Sequence, residues 1–199
     1  FGDTTIQISG LALGAVVGPF LLRSSAALPG GGSGLAIWSD TSSVPVDASW
    51  DGSSFTAADP MQAMGDRFRI VQGAASPTRD EAIVIGVVDN NNEVRTQMWN
   101  GTVWSEPAFS PMDSVSDSFW WGFDVAYESL SGDAVIVWDD NGTLKYATWN
   151  GTSWSSKTTL SAFTGNEAHQ LQLAASLDSD EMVLTVTDND KKDYALVWN

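Results

Sequence analysis

Apolar residues fall along this chain in short runs, mostly alternating with polar ones, and turn residues close each run. The stretch from 68 to 109 is the clearest guide. Residues 68–75 form a largely apolar run that ends at the turn Pro77-Thr78-Arg79-Asp80. Residues 82–88, AIVIGVV, are rich in β-branched side chains and stop at Asp89-Asn90-Asn91-Asn92. Residues 93–99 alternate up to Trp99, Asn100-Gly101 turns, and residues 102–109 run out again. Period-2 runs of this length, bounded by Asn, Asp, Gly and Pro, predict strands. Asn-Gly between two runs is a hairpin signal, because a type I′ turn needs positive φ at both central residues. The unit reads as four antiparallel strands in a meander, A to D. No stretch keeps a helical period through three turns.

The other copies follow the same plan. The first places its strands at 20–26, 35–38, 44–50 and 53–58, the third at 123–128, 134–138, 143–149 and 152–160. The fourth offers A at 170–175, B at 182–187 and C at 194–198. An aspartate follows strand B each time: Asp40, Asp89, Asp139 and Asp188. Strand C ends on a tryptophan each time, at Trp50, Trp99, Trp149 and Trp198, spaced by 49, 50 and 49 residues. A fixed period of that size signals stacked or ringed copies of one supersecondary unit. The expected fold is all-β, a four-bladed β-propeller of four-stranded antiparallel blades, forming one domain over residues 1–199.

The fourth copy stops after its C strand. Near the other end, Thr4, Ile6 and Ile8 lie in an alternating run that could serve as the missing D strand beside Trp198. Paired within one chain, that strand closes the ring and removes an exposed sheet edge, which would otherwise recruit foreign strands. Donated to a neighbouring copy, it would build a head-to-tail filament. Closure within the chain is favoured, because a tethered strand has a high effective concentration.

Composition narrows the functional classes. The 199 residues carry 9 Lys and Arg against 25 Asp and Glu, a formal net charge of −16. A nucleic-acid surface needs clustered cations, so no nucleic-acid partner is expected. With no cysteine, disulfides and thiolate metal sites are out of reach. The longest apolar run, residues 11–22, is broken by Gly14, Gly18 and Pro19. A membrane helix needs about 20 apolar residues, so no membrane insertion is expected. The chain opens on Phe1 rather than Met, as a processed protein or an excised segment would. An extracellular or cell-surface location is the expectation.

In size and blade number the pattern resembles hemopexin-like propellers. The hairpins Trp50-Asp51-Gly52, Trp99-Asn100-Gly101 and Trp149-Asn150-Gly151 are similar to those of fucose-binding propeller lectins, which carry Trp-Asp-Gly-x-Gly-Trp in units of like length. That resemblance covers the C and D strands alone. It implies a propeller in which an arginine and a glutamate from the blade strands hold the sugar beside an aromatic ring. Here residues 83–87 and 135–138 on strand B are apolar, and no glutamate sits beside Trp99 or Trp149 along the chain. The family's binding residues are therefore not carried over.

Several recurring residues have two readings. The pairs Trp99 with Trp104 and Trp149 with Trp154 could stack on sugar rings; the favoured reading is blade packing, which explains their repetition. Asp139, Asp188 and Asp190 offer hard oxygen ligands of the kind Ca²⁺ takes. Turn chemistry accounts for them more simply, since Asp and Asn bond the local backbone. No other cofactor is expected. Asn100, Asn141 and Asn150 each begin an Asn-Gly-Thr triplet, an N-glycan acceptor in form. His169 is the lone histidine, and Asp124, expected on an inner strand with Arg69, reads as an ion-pair member. The expectation is a non-enzymatic structural or binding module, with glycans or copies of itself as partners.

Overall fold

The structure is a computed structural model and describes residues 20–21, 34–39, 42–51, 53–89, 92–107, 110, 112 and 121–199. All regular structure among them is β. The first sheet contains β1 (Phe20–Leu21), β2 (Gly34–Trp38), β3 (Val46–Trp50) and β4 (Asp59–Pro60). The second contains β5 (Phe68–Ala75), β6 (Ala82–Val88), β7 (Val94–Trp99) and β8 (Trp104–Ser105). The third contains β9 (Phe123–Tyr127), β10 (Ala134–Asp140), β11 (Thr143–Trp149) and β12 (Thr158–Thr159). The fourth contains β13 (Ala168–Ala175), β14 (Met182–Asp188) and β15 (Asp193–Trp198). Every pairing within the sheets is antiparallel between chain neighbours, and the first strands of successive sheets adjoin. This is a β-propeller arrangement.

Alternation along the B strands packs the sheets. In β6, Ile83 and Ile85 face Ile136 and Trp138 of the third sheet, while Val84 and Val88 join Ile37 and Met64 on the side of the first. With both faces covered, all seven residues of β6 are buried. In β10, Val135 and Val137 meet Leu184 and Val186 of the fourth sheet. The outward face of that last sheet has no such cover among the described residues. Val183 is 42% exposed and Val197 67%, with Gln172, Thr185 and Ala195 exposed between them.

The inner strands are tied sheet to sheet. Gln72 Nε2 donates to the Phe123 carbonyl at 2.9 Å, crossing from the second sheet to the third. Asp124, wholly buried, accepts from the backbone N–H of Val125 at 2.9 Å and from that of Leu173, in the fourth sheet, at 2.8 Å. Arg69, expected on an inner strand with Asp124, bonds Asp89.

Strands B and C fall within two residues of their expected bounds. The D strands shrink to two-residue pairings, and β4 lies beyond the predicted 53–58. These strands sit at the outer rim, where Pro60 and Pro107 withhold backbone donors. The turn chemistry also moves. The C–D loops hold four residues between bridged aromatics, with positive φ at Gly101 and Gly151 but not at Asn100 or Asn150. Both positive angles of a two-residue I′ turn occur instead at Asn141 (47°) and Gly142 (88°), between β10 and β11. The expected strand carrying Thr4, Ile6 and Ile8 lies outside the described residues. No helix among those described is long and apolar enough to cross a membrane.

Candidate functional site

The hairpin tryptophans act first as clamps between sheets. Trp104 Nε1 donates to Asp47 of the first sheet at 3.0 Å. Trp149 Nε1 reaches Glu81 of the second at 3.1 Å, and Trp198 Nε1 reaches Glu128 of the third at 3.1 Å. Each indole thus fastens its sheet to the one before. Across the hairpins the rings pair as expected, Trp99 with Trp104 at 5.7 Å and Trp149 with Trp154 at 5.5 Å. Trp104 is only 6% exposed, whereas Trp99, Trp149 and Trp154 are half-buried.

No glutamate neighbours Trp149 along the chain, yet the fold brings Glu81 to it from 68 residues away. Arg79 completes the trio, its Nε 2.8 Å from Glu81. The guanidinium also donates to the carbonyls of Ser131 and Gly132, so it ties the second sheet to a turn of the third. Nearby, the Tyr127 hydroxyl is buried without a hydrogen-bond partner among the described residues. Burial raises its pKa strongly, and the Glu81 charge adds to that shift. These groups bind the sheets to one another.

Asp139 and Asp188, which follow strand B in the third and fourth sheets, are likewise engaged in local structure. Asp139 accepts from the Gly142 N–H at 3.1 Å, and Asp188 accepts from the Lys192 N–H at 2.9 Å and the Tyr194 hydroxyl at 3.1 Å. Asp190 pairs with Lys192 at 3.3 Å. No cluster of metal-ligating side chains occurs among the described residues. At the hairpin tips, Asn100 and Asn150 use Oδ1 to accept two backbone N–H groups each, and Asp51 does the same in the first sheet.

An open cleft does form between the outer strands of the first two sheets. It encloses about 510 Å³ and is lined by Asp47, Asp59, Gln62, Thr56, Trp99 and Val103, among others. Asp47 and Asp59 are register partners across β3 and β4, so both carboxylates project from one face. Burial pushes the Asp47 carboxyl above the ordinary carboxylate range; the Trp104 N–H draws it back, and the Asp59 charge raises it further. No lining residue is cationic. Sequence reading passed over this cleft. Its signal lies three residues before each hairpin tryptophan, where the four copies read Asp47, Thr96, Tyr146 and Ala195.

No protein-family model and no curated protein matches the sequence. Solved structures do match in fold. A mutant of the Aleuria aurantia lectin in complex with α-methyl-L-fucoside aligns at TM-score 0.58 and 12% identity, over 84% of this chain and 53% of that one. A triple mutant of AofleA from Arthrobotrys oligospora aligns at 0.60 and 14%, over 88% and 53%. The Hadza microbial sialidase Hz136 aligns at 0.50 and 11%, over 84% and 42%. The chain spans about half the length of the lectins it matches. At such low identity the likeness shows the fold, a β-propeller.

Proposed function

We propose that this protein is a non-enzymatic carbohydrate-binding module built on a β-propeller, and that the cleft between the first two sheets is its binding site. The observation that carries this reading is the mixture of side chains at the cleft. Trp99 and Val103 offer apolar surface beside the carboxylates of Asp47 and Asp59, the Gln62 amide and the Thr56 hydroxyl. Sugar recognition asks for that mixture, apolar area for C–H faces and a few fixed polar groups for hydroxyls. The lectin neighbours, one of them the Aleuria aurantia lectin in complex with α-methyl-L-fucoside, support the class without fixing the sugar. A display site for glycans goes with an extracellular or cell-surface location.

The test is a glycan array with the intact chain, repeated with Trp99→Ala and Gln62→Ala. Binding that falls at least about tenfold in both variants is expected, as the loss of one buried contact or hydrogen bond would give. An array blank for the wild type would refute the reading. Each carboxylate oxygen of Asp124 accepts from a backbone N–H, which favours a structural role over a catalytic one. Hydrolysis of any bound glycan that stops in Asp124→Asn would replace the module with an enzyme.

A second reading, a subunit that assembles with copies of itself, draws on the bare outer face of β13–β15. Donation of the strand carrying Thr4, Ile6 and Ile8 is the assembly route it implies. Light scattering on the intact chain and on a form lacking residues 1–9 tests it. Polymers that persist after the deletion would exclude strand donation.

A further inference from the structure

We propose that the cleft between the first two sheets selects an amino sugar, holding the ring ammonium between Asp47 and Asp59. This rests on the carbohydrate-binding reading above and deepens it. The inference begins with a departure from the repeat. Three residues before the hairpin tryptophan, the propeller accepts Thr96, Tyr146 or Ala195, so the repeat as such does not require a carboxylate there, although in the first sheet one oxygen of Asp47 takes the Trp104 N–H. The partner position differs in the same way. Across from Asp47 stands Asp59, whereas the corresponding pair in the third sheet is Tyr146 with Thr158. Like charges directly opposite each other on a ladder are destabilising. A chain that keeps two there, with no lysine or arginine along the cleft, is matched by a cation from outside.

The surroundings make that cation part of a sugar. Asp47 is held in place by the Trp104 indole, which fixes one carboxylate oxygen and leaves the group facing Asp59. Val103, 53% exposed, and the half-buried Trp99 give the apolar wall a pyranose face needs. Gln62 lines the same cleft and supplies an amide, the group type that ring hydroxyls pair with. An acidic sugar such as a sialic acid would meet two carboxylates and no guanidinium, in a chain of net charge −16. Charge complementarity therefore excludes it.

Calorimetry with short oligomers of glucosamine, the N-acetylated oligomers of equal length, and spermidine separates the outcomes. The free-amine sugar is expected to bind about tenfold or more tightly than its acetylated counterpart, the margin of a charge-assisted hydrogen bond over a neutral one. Asp59→Asn should erase that preference. Asp59 is exposed and its charge opposes Asp47, so the variant should melt at or above the wild type. Equal binding of both oligomers would overturn the ammonium assignment and leave carbohydrate binding standing. Spermidine binding as tightly as glucosamine oligomers would overturn the sugar and leave only charge. Failure of every saccharide here and on the array would remove both readings.

Discussion

Trp149 in the third sheet donates its indole N–H to Glu81 in the second, 3.1 Å away, and the same carboxylate takes the Nε proton of Arg79 at 2.8 Å. One glutamate thus gathers an arginine from its own turn and a ring from the next sheet. Trp149→Phe should keep the ring packing and lose one hydrogen bond to a charged acceptor. The expected cost is about 1.5–3 kcal/mol in urea unfolding. A midpoint unchanged from the wild type would show that the contact is idle.

Asp51 caps the first hairpin where the other copies use asparagine. Two backbone N–H groups and the Ser53 hydroxyl bond its Oδ1, and they hold its pKa down to about 2. A carboxyl whose folded value lies below its unfolded value adds stability above the unfolded pKa, and that stability is lost as pH falls through the folded one. Asp51→Asn, which restores the repeat's own residue, should therefore flatten the acid limb between about pH 4 and pH 2. Parallel acid unfolding curves for the two proteins would contradict this.

Asp47 should behave in the opposite sense. Its folded pKa is raised, chiefly by burial, so the native state keeps a proton that the unfolded chain has already released. Stability then falls as pH rises from the ordinary carboxylate range, about 3.9, through the folded value. Asp47→Asn keeps an oxygen for the Trp104 N–H and carries no charge. It should melt higher than the wild type at neutral pH, with the gap closing toward pH 3. Melting curves that separate in acid instead would reverse the assignment.

Gly86 lies in the buried B strand of the second sheet, where Phe68 and Ile70 interrupt the register. A Cβ there would come within 2.5 Å of the Phe68 ring and 2.6 Å of the Ile70 carbonyl. Gly86→Ala forces one of them to shift, at an expected cost of about 1–3 kcal/mol. Chemical denaturation measures it directly, and a neutral result would mean that the ring relaxes freely.

Strands B and C were legible because their signals are local and repeated. The β-branched run ending at Val88 and the alternation ending at Trp99 need nothing beyond their own residues to read as strands. Of the rim strands, β4 falls outside its expected bounds and β8 and β12 are shorter than expected; residues 53–58 are mostly exposed, so no apolar pattern marks where pairing begins. Asn-Gly occurs at both kinds of turn. Only the three-dimensional pairing shows that Asn141-Gly142 joins directly opposed strands while Asn100-Gly101 sits within a longer loop. Glu81 meeting Trp149 has no local trace, since the contact follows from how adjacent sheets stack. The Asp47 position, by contrast, could have been found by laying the four copies over one another and asking which breaks rank.

That break in rank has a numerical consequence. Among the described residues, the recess holding Asp47 has no acidic twin at Thr96, Tyr146 or Ala195, although the repeat presents that position four times. A ligand seated there would be counted once per chain. Crosslinking of cells or polymers would then depend on how many chains are joined, rather than on how many wedges each one contains.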